Sequence, residues 1–141
     1  MTSVYLDASV LVSLHLRDAN TGRALALFRG QVTDAVISDF GAAEVSSAVA
    51  LNLRIGRLAR EQAQSALRQF DEWIGRDVAV EHLDSADVAL ADAFIRRLDS
   101  TLRTPDALHL AIARRLSLPV ATFDVKMAAA ARNFGIKLLE S

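Results

Sequence analysis

The sequence predicts an α/β fold in three layers, an α/β/α sandwich around a central, mostly parallel sheet of about five strands. Two observations predict it. Short runs rich in β-branched and aromatic residues alternate along the chain with longer stretches of helical periodicity. Parallel neighbours need crossover connections, and helical crossovers cover both faces of a sheet. The predicted strands lie at residues 4–6, 35–37, 78–80, 120–122 and 136–138.

Seven helices are predicted, and the chemistry of two helix ends supports the assignment. Thr104 is expected as an N-cap, with Pro105 and Asp106 at the first two helical positions, a pattern suited to unpaired amides and a positive dipole end. Gly135 follows Phe134 and is expected to end the last helix in the left-handed conformation. The predicted helices cover residues 10–16, 22–29, 40–55, 60–76, 85–98, 105–116 and 125–134.

The composition is that of one globular domain over residues 1–141. Hydrophobic residues make up 52% and charged residues 23%, and no linker, repeat or low-complexity segment interrupts the chain. Because the sequence has no cysteine, disulfides, thiolate nucleophiles and cysteine-ligated zinc are excluded, which fits a reducing compartment. The longest uncharged runs have nine residues, too short to span a bilayer, and the first residues lack the basic region of a signal peptide. We therefore expect a cytoplasmic protein without membrane insertion.

Three aspartates are predicted at one edge of the sheet. Asp7 follows the first strand and Asp124 follows the fourth, so both carboxylates leave the same edge if those strands are parallel neighbours. Asp106 opens the helix before the fourth strand, which brings the same edge within its reach. Taken singly, each aspartate is better explained as a helix cap, an interaction of about 1 kcal/mol.

Glu44 is a fourth candidate, and a cap does not explain it. On its predicted helix, the stripe that contains Glu44 also contains Phe40, Ser47, Ala48 and Leu51, so the carboxylate lies on a mostly apolar, inward face. No lysine or arginine lies three or four residues away along the chain. Since glutamate is rarely buried without a partner, a cation from elsewhere is required.

The acids together predict a metal site. Crowded carboxylates repel one another, which raises the pKa of at least one of them unless a cation restores the balance. Oxygen ligands without cysteine or paired histidines favour Mg²⁺ or Mn²⁺ over zinc. Two such ions about 4 Å apart can activate water and stabilise the leaving oxygen of a phosphodiester. The residues alone therefore predict metal-dependent phosphoryl hydrolysis.

Four parts of the sequence resemble the PIN domain, and within that family the VapC-type ribonuclease toxins. They are residues 5–11 (YLDASVL), Glu44, residues 104–111 (TPDALHLA) and residues 121–124 (ATFD), which follow the family's order over nearly the whole chain. The resemblance implies a Mg²⁺- or Mn²⁺-dependent endoribonuclease that acts as the toxin of a toxin–antitoxin pair. The family's catalytic and metal-binding acids match Asp7, Glu44, Asp106 and Asp124.

The resemblance also implies supporting residues and partners. Ser9 matches a small hydroxyl residue that could orient Asp7 or a metal-bound water, and a plain N-cap explains it equally well. Thr122 matches the family pattern two residues before the last acid and could hydrogen-bond within the site. The implied partners are an RNA substrate, a second copy of the chain in a homodimer, and a VapB-type antitoxin that blocks the acidic pocket.

A hydrophobic stripe on the fourth predicted helix is a candidate surface for one of these partners. It consists of Ala63, Leu67, Phe70 and Ile74, with Trp73 nearby. Aromatic anchors are favoured in protein interfaces. Ordinary core packing is at least as good an explanation.

Two arginines and one histidine are weighed as further site residues. Arg54 and Arg57 lie close together where one helix ends, and arginine suits bidentate contacts with RNA phosphates, although scattered arginines usually form a solvated surface. The net charge of −1 argues against strong sequence-independent binding of nucleic acid, so substrate contacts must be local. His109 lies three residues after Asp106 on the same side of its helix, and a structural role is favoured over a role beside the acids.

Two alternatives remain open. A receiver-like signalling domain also binds Mg²⁺ beyond the strands of a small sheet, but it needs an adjacent acidic pair, whereas Asp7 is single. A second alternative is a catalytically silent PIN-fold binding protein, which the four intact acids make less economical.

Overall fold

The computed structural model describes residues 2–30 and 32–139 of the chain. In this part of the chain, strands and helices alternate as predicted. They are β1 (Thr2–Leu6), α1 (Ala8–His15), α2 (Thr21–Gly30), β2 (Val32–Ser38), α3 (Asp39–Arg54), α4 (Arg60–Asp77), β3 (Val78–Glu81), α5 (Ser85–Arg96), α6 (Thr104–Leu116), β4 (Val120–Ala121) and α7 (Val125–Asn133). Each predicted helix is found within two residues of its expected bounds.

The strands form a parallel sheet in the order β3-β2-β1-β4, which confirms the predicted α/β class. β1 lies in the centre, with Val4 opposite Ala35 of β2 and Tyr5 opposite Val120 of β4. Both faces of β1 are covered, and its last three residues are fully buried. The apolar run without alternation is typical of a strand enclosed by helices on both sides.

The predicted fifth strand is reduced to a single bridge in the described residues. Leu138 pairs with Val120 in parallel, and backbone hydrogen bonds to Val120 flank the bridge on either side of Leu138. β4 contains only two residues, so it offers a neighbour too few partners for a longer ladder. Within residues 2–30 and 32–139 the sheet therefore has four full strands, and the fifth is present only as this bridge.

The two helix ends examined in the sequence have different outcomes. Gly135 adopts the left-handed conformation with φ of 71° just after α7, as predicted. α6 begins one residue earlier than expected, because Arg103 occupies the N-cap position and Thr104 is already helical. Pro105 fits there as well, since it has no amide hydrogen to place in the first turn. In the described ranges, no helix combines the length and the apolar character needed to cross a membrane.

Two hydrophobic cores lie on opposite faces of the sheet. Alternate side chains of β1 serve them, with Tyr5 in the core beneath α5, α6 and α7, and Leu6 in the core beneath α1, α3 and α4. The stripe on α4 belongs to the second core: Ala63 and Phe70 are buried, and Leu67, Trp73 and Ile74 pack against them. This contact favours core packing for that stripe.

Candidate active site

Asp7 is a buried carboxylate at the junction of β1 and α1. Its side chain caps α1, and Oδ1 accepts hydrogen bonds from the Ser9 hydroxyl at 2.7 Å and from the Val10 amide at 3.1 Å. The residue is 3% exposed. Burial raises the pKa of Asp7, because the charged form loses hydration, and hydrogen bonds from Thr122 and Ser9 oppose this only in part. Among the described residues, no ion pair includes Asp7.

Asp124 leaves the same edge of the sheet as Asp7. β4 lies next to β1, and the Asp7 amide donates to the carbonyl oxygen of Ala121 at 3.2 Å. Asp124 begins α7, where its Oδ1 accepts from the amides of Lys126 at 2.9 Å and Met127 at 3.1 Å. The parallel neighbours thus place the two acids at the same edge of the sheet, although 117 positions separate them in sequence.

Two hydroxyl side chains connect these acids. Ser9 donates to Asp7, accepts from the Phe123 amide at 2.9 Å, and lies 3.5 Å from the Thr122 hydroxyl. Thr122 accepts from the Asp124 amide at 3.0 Å. Asp7, not Ser9, is the N-cap of α1, and Ser9 instead holds the loop after β4 against the Asp7 carboxylate.

Asp106 faces Asp124 across an open hollow. The hollow has a volume of about 600 Å³ and is lined by Asp106, Asp124, Arg103 and Lys126 among others. Asp106 is half-buried in the first turn of α6. Its pKa is raised by burial and then by the negative charge of Asp124, so the two carboxylates repel each other.

Glu44 reaches the site from α3, and its carboxylate has a histidine as hydrogen-bond partner. Its Oε1 forms a hydrogen bond with Nε2 of His109 on α6, a residue 65 positions away. This contact supplies the partner that the apolar stripe around Glu44 required. The His109 ring is buried, with its side chain 3% exposed, whereas the Glu44 side chain is 29% exposed. His109 is therefore buried like a structural histidine and also contacts a candidate site residue directly.

The four acids share one edge but do not converge on one point. Glu44 and Asp124 line a second hollow of about 400 Å³ with Ser9, and Asp124 also lines the hollow that contains Asp106. In the ranges 2–30 and 32–139, no three histidine, aspartate or glutamate side chains form a ready-made metal-binding group. The donor set, carboxylate and hydroxyl oxygens without sulfur, nevertheless suits Mg²⁺ or Mn²⁺ chemically.

Some residues near the acids were not found by sequence reasoning. Asp18 lines the same hollow as Glu44, with its carboxylate engaged by the Ser13 hydroxyl and the Asn20 amide, both at 2.8 Å. Phe123 also lines this hollow, and the Arg23 guanidinium lies 4.5 Å from its ring centre. For Phe123, its position next to Asp124 in the sequence could have indicated that it lies near the site.

Arg54 and Arg57 lie away from the acids. Arg54 ends α3, ten residues after Glu44, which is about 15 Å along the helix axis. Arg57 lies in the turn that follows. Both are exposed, so they can contact RNA only at a distance from the carboxylates.

Comparisons with known proteins identify the family of this chain. The PIN domain family matches residues 4–133. The chain is 31% identical to ribonuclease VapC46 of Mycobacterium tuberculosis over 142 aligned positions, covering 99% of this chain and 98% of the relative.

Solved structures share the fold. One is VapC20 of M. tuberculosis, a sarcin–ricin loop cleaving toxin, with a TM-score of 0.72, 23% identity, and 90% and 94% coverage of the two chains. Another is DNA-bound VapBC of Salmonella typhimurium, with a TM-score of 0.70, 15% identity, and 99% and 98% coverage. A receiver-like signalling domain is not supported by any of these matches. The sequence matches show that the chain belongs to the PIN domain family and, within it, to the VapC-type members.

Proposed function

We propose that this protein is a metal-dependent endoribonuclease and the toxin of a toxin–antitoxin pair. The observation that carries the proposal is the buried Asp7, which has no ion-pair partner among the described residues and lies beside other acids at the carboxyl edge of the sheet. Burial of an acid without a counter-ion costs stability, and such groups cluster at functional sites. Membership of the PIN domain family supports a shared role for the four acids in binding a metal ion.

Asp7, Glu44, Asp106 and Asp124 are the residues that would hold Mg²⁺ or Mn²⁺. Such an ion, when bound, supplies an activated water and stabilises negative charge on a phosphodiester. The repulsion between Asp106 and Asp124 supports this assignment, because a bound cation would relieve it. Since the acids form no ready-made metal-binding group in the described residues, binding would require side-chain rotation at the partly exposed Glu44, Asp106 and Asp124.

Two hydroxyl side chains hold parts of the site in place. Ser9 and Thr122 fix the Asp7 carboxylate and the loop that carries Asp124, so these two acids keep a defined separation. Water attacks phosphorus, the bond from phosphorus to the 3′ oxygen breaks, and the products carry a 5′-phosphate and a 3′-hydroxyl. The substrate is single-stranded or loop RNA, which the sarcin–ricin loop cleaving relative supports.

We further propose that the protein forms a homodimer and pairs with a VapB-type antitoxin. The likeness to VapBC over nearly the full length of both chains supports this partner. An antitoxin that covers the hollows beside Asp124 would stop cleavage without changing any acid.

The direct test is cleavage of total cellular RNA by purified protein with Mg²⁺ or with EDTA. We expect cleavage with Mg²⁺, none with EDTA, and a loss of at least about 100-fold in Asp7→Asn. The matched control is Asp92→Asn, which removes an exposed acid paired with Arg96 and leaves the site intact. Equal cleavage by Asp7→Asn and the native protein would refute the site. No cleavage by the native protein under either condition would favour the catalytically silent PIN-fold alternative.

A further inference from the structure

We infer that His109, Tyr5 and Ser38 form a hydrogen-bonded relay that positions the carboxylate of Glu44 for the reaction. The inference rests on the proposed ribonuclease function and assigns a role to three residues outside the acidic set. None of the three would touch RNA or a metal ion. They act through Glu44, as positioning residues.

The relay runs without a gap from the start of α3 to the side chain of Glu44 on the same helix. The Gly41 amide donates to the Ser38 hydroxyl at 2.8 Å, which lies 2.9 Å from the Tyr5 hydroxyl. The Tyr5 hydroxyl lies 2.5 Å from Nδ1 of His109, and Nε2 of His109 contacts Oε1 of Glu44. Strands β1 and β2 and helices α3 and α6 are thereby joined through one chain of contacts.

The direction of the hydrogen bonds follows from the end of the relay. An ionised Glu44 can only accept, so Nε2 of His109 must carry the hydrogen. In a neutral imidazole Nδ1 is then an acceptor, and the Tyr5 hydroxyl donates to it. Ser38 in turn donates to Tyr5 while it accepts from Gly41. Every polar group of the relay is satisfied in this one arrangement.

Burial makes the arrangement rigid. Tyr5 and Ser38 are fully buried and His109 is 2% exposed, so water cannot replace a missing partner. The ring of Phe40 packs against His109 with 5.3 Å between ring centres. A Cβ on Gly41 would lie 3.3 Å from the Ser38 hydroxyl and 3.4 Å from Cε1 of His109, so glycine leaves room for the relay.

The end point of the relay distinguishes it from ordinary core packing. A buried histidine needs only buried partners to be stable. Here the last partner is a part-exposed carboxylate that lines a hollow together with Ser9 and Asp124. His109 is also carried by α6, the helix with Asp106 in its first turn, so the relay fixes the helices of two candidate acids relative to each other. Groups that orient metal ligands in this way typically contribute 10- to 100-fold to activity or affinity.

The first test is Tyr5→Phe, which removes one hydroxyl and keeps the ring. We expect kcat for RNA cleavage to fall about 10- to 100-fold while KM changes less than about twofold. The control is Phe70→Leu, which leaves a gap in the core beneath α1, α3 and α4 and should lower stability with kcat unchanged. An active native protein with unchanged kcat in Tyr5→Phe would overturn the inference and leave the proposed function in place.

A pair of conservative variants separates positioning from packing. The amide of His109→Gln can occupy the place of Nε2–H and donate to Glu44, whereas the amide of His109→Asn can only reach the place of Nδ1. We expect His109→Gln to keep at least ten times the kcat of His109→Asn, with circular dichroism confirming that both fold. Equal kcat values would overturn the role of His109.

The imidazole tautomer gives a readout that needs no cleavage. We expect ¹⁵N NMR at neutral pH to show His109 with hydrogen on Nε2 and not on Nδ1, and Tyr5→Phe to shift it toward a mixture of tautomers. A native His109 with hydrogen on Nδ1 alone would overturn the relay whether or not the protein cleaves RNA. A native protein that fails to cleave would instead contradict the proposed function.

Discussion

Two buried aspartates, one directly after β1 and the other on α5, differ in their partners. Asp87 on α5 is 1% exposed, and Arg115 holds it with Nε at 2.8 Å from Oδ1 and Nη2 at 3.0 Å from Oδ2. The Asp84 amide also donates to it at 2.9 Å. Asp7 is almost as deeply buried, yet its neighbours are hydroxyls and an amide, with no lysine or arginine paired to it in the described residues.

We propose that this difference distinguishes an acid that stabilises the fold from one that is kept for a functional site. A carboxylate kept for stability comes with its counter-ion, because an unpaired buried charge is costly. At Asp7 the chain leaves that charge unbalanced, and the raised pKa records the cost. We therefore expect replacement of the two acids to have opposite effects on stability.

The largest expected effect is at Asp87. In Asp87→Asn the bidentate ion pair with Arg115 is lost, and the free energy of unfolding should fall by about 2–3 kcal/mol. Urea denaturation at pH 7 measures this loss. An unchanged unfolding midpoint would mean that the Asp87–Arg115 ion pair does not stabilise the fold, and the proposed contrast with Asp7 would then be wrong.

Asp7→Asn should raise the free energy of unfolding at pH 7 by about 1 kcal/mol. Asparagine caps helices as well as aspartate does, and its Oδ1 can keep both hydrogen bonds, so only the buried charge disappears. Because folding raises the pKa of Asp7, the native protein is destabilised above that pKa and recovers as the pH falls toward the ordinary value of 3.8. Thermal unfolding should show the gap between the two proteins closing over that range, and a gap that widens on acidification would contradict the assignment.

His15 at the far end of α1 offers the opposite pH dependence. Its Nε2 is buried without a hydrogen-bond partner in the described structure, and its ring packs against Phe70 and Trp73. Burial lowers the pKa of His15 from 6.5 to about 4, so the unfolded chain takes up the proton first and stability is lost as the pH falls from 6.5. His15→Phe should remove a loss of under about 1 kcal/mol between pH 6.5 and pH 5, measured by urea denaturation at each pH. Identical pH profiles for both proteins would show that the ring is hydrated.

The smallest expected effect concerns Arg54 and Arg57. Replacing both with alanine should weaken RNA binding only about two- to threefold and make its salt dependence shallower, because they lie far from the acids. Binding measured at several salt concentrations in inactive Asp7→Asn gives the slope. If the slope does not change, neither arginine contacts RNA, and the binding surface ends nearer to Asp124.

The fold and the positions of the acids on its strands and helices could be predicted, because both depend on local sequence patterns. The apolar run before Asp7 and the one before Asp124 identified buried strands, and parallel strands end at one edge. Glu44 was found because a carboxylate interrupts an apolar helical stripe. The fifth strand was overpredicted because a β-rich sequence does not reveal how short its neighbour is.

The partners of these acids could not be predicted, because they come from distant parts of the chain. His109 meets Glu44 only in the folded chain, where α6 and α3 pack on opposite faces of the sheet and their side chains meet at its edge, and the sequence alone favoured a structural role for it. Arg115 finds Asp87 across the α5–α6 contact in the same way. Contacts between side chains distant in sequence depend on the strand order and on the placement of the helices, and a local sequence pattern does not reveal either.

The contrast between Asp7 and Asp87 is tested most directly by measuring RNA cleavage and unfolding on the same two variants. We predict that Asp7→Asn is inactive and more stable than the native protein, and that Asp87→Asn is active and less stable. Cleavage at the native rate by Asp7→Asn, or activity that follows stability in both variants, would contradict the claim that Asp7 is kept for chemistry.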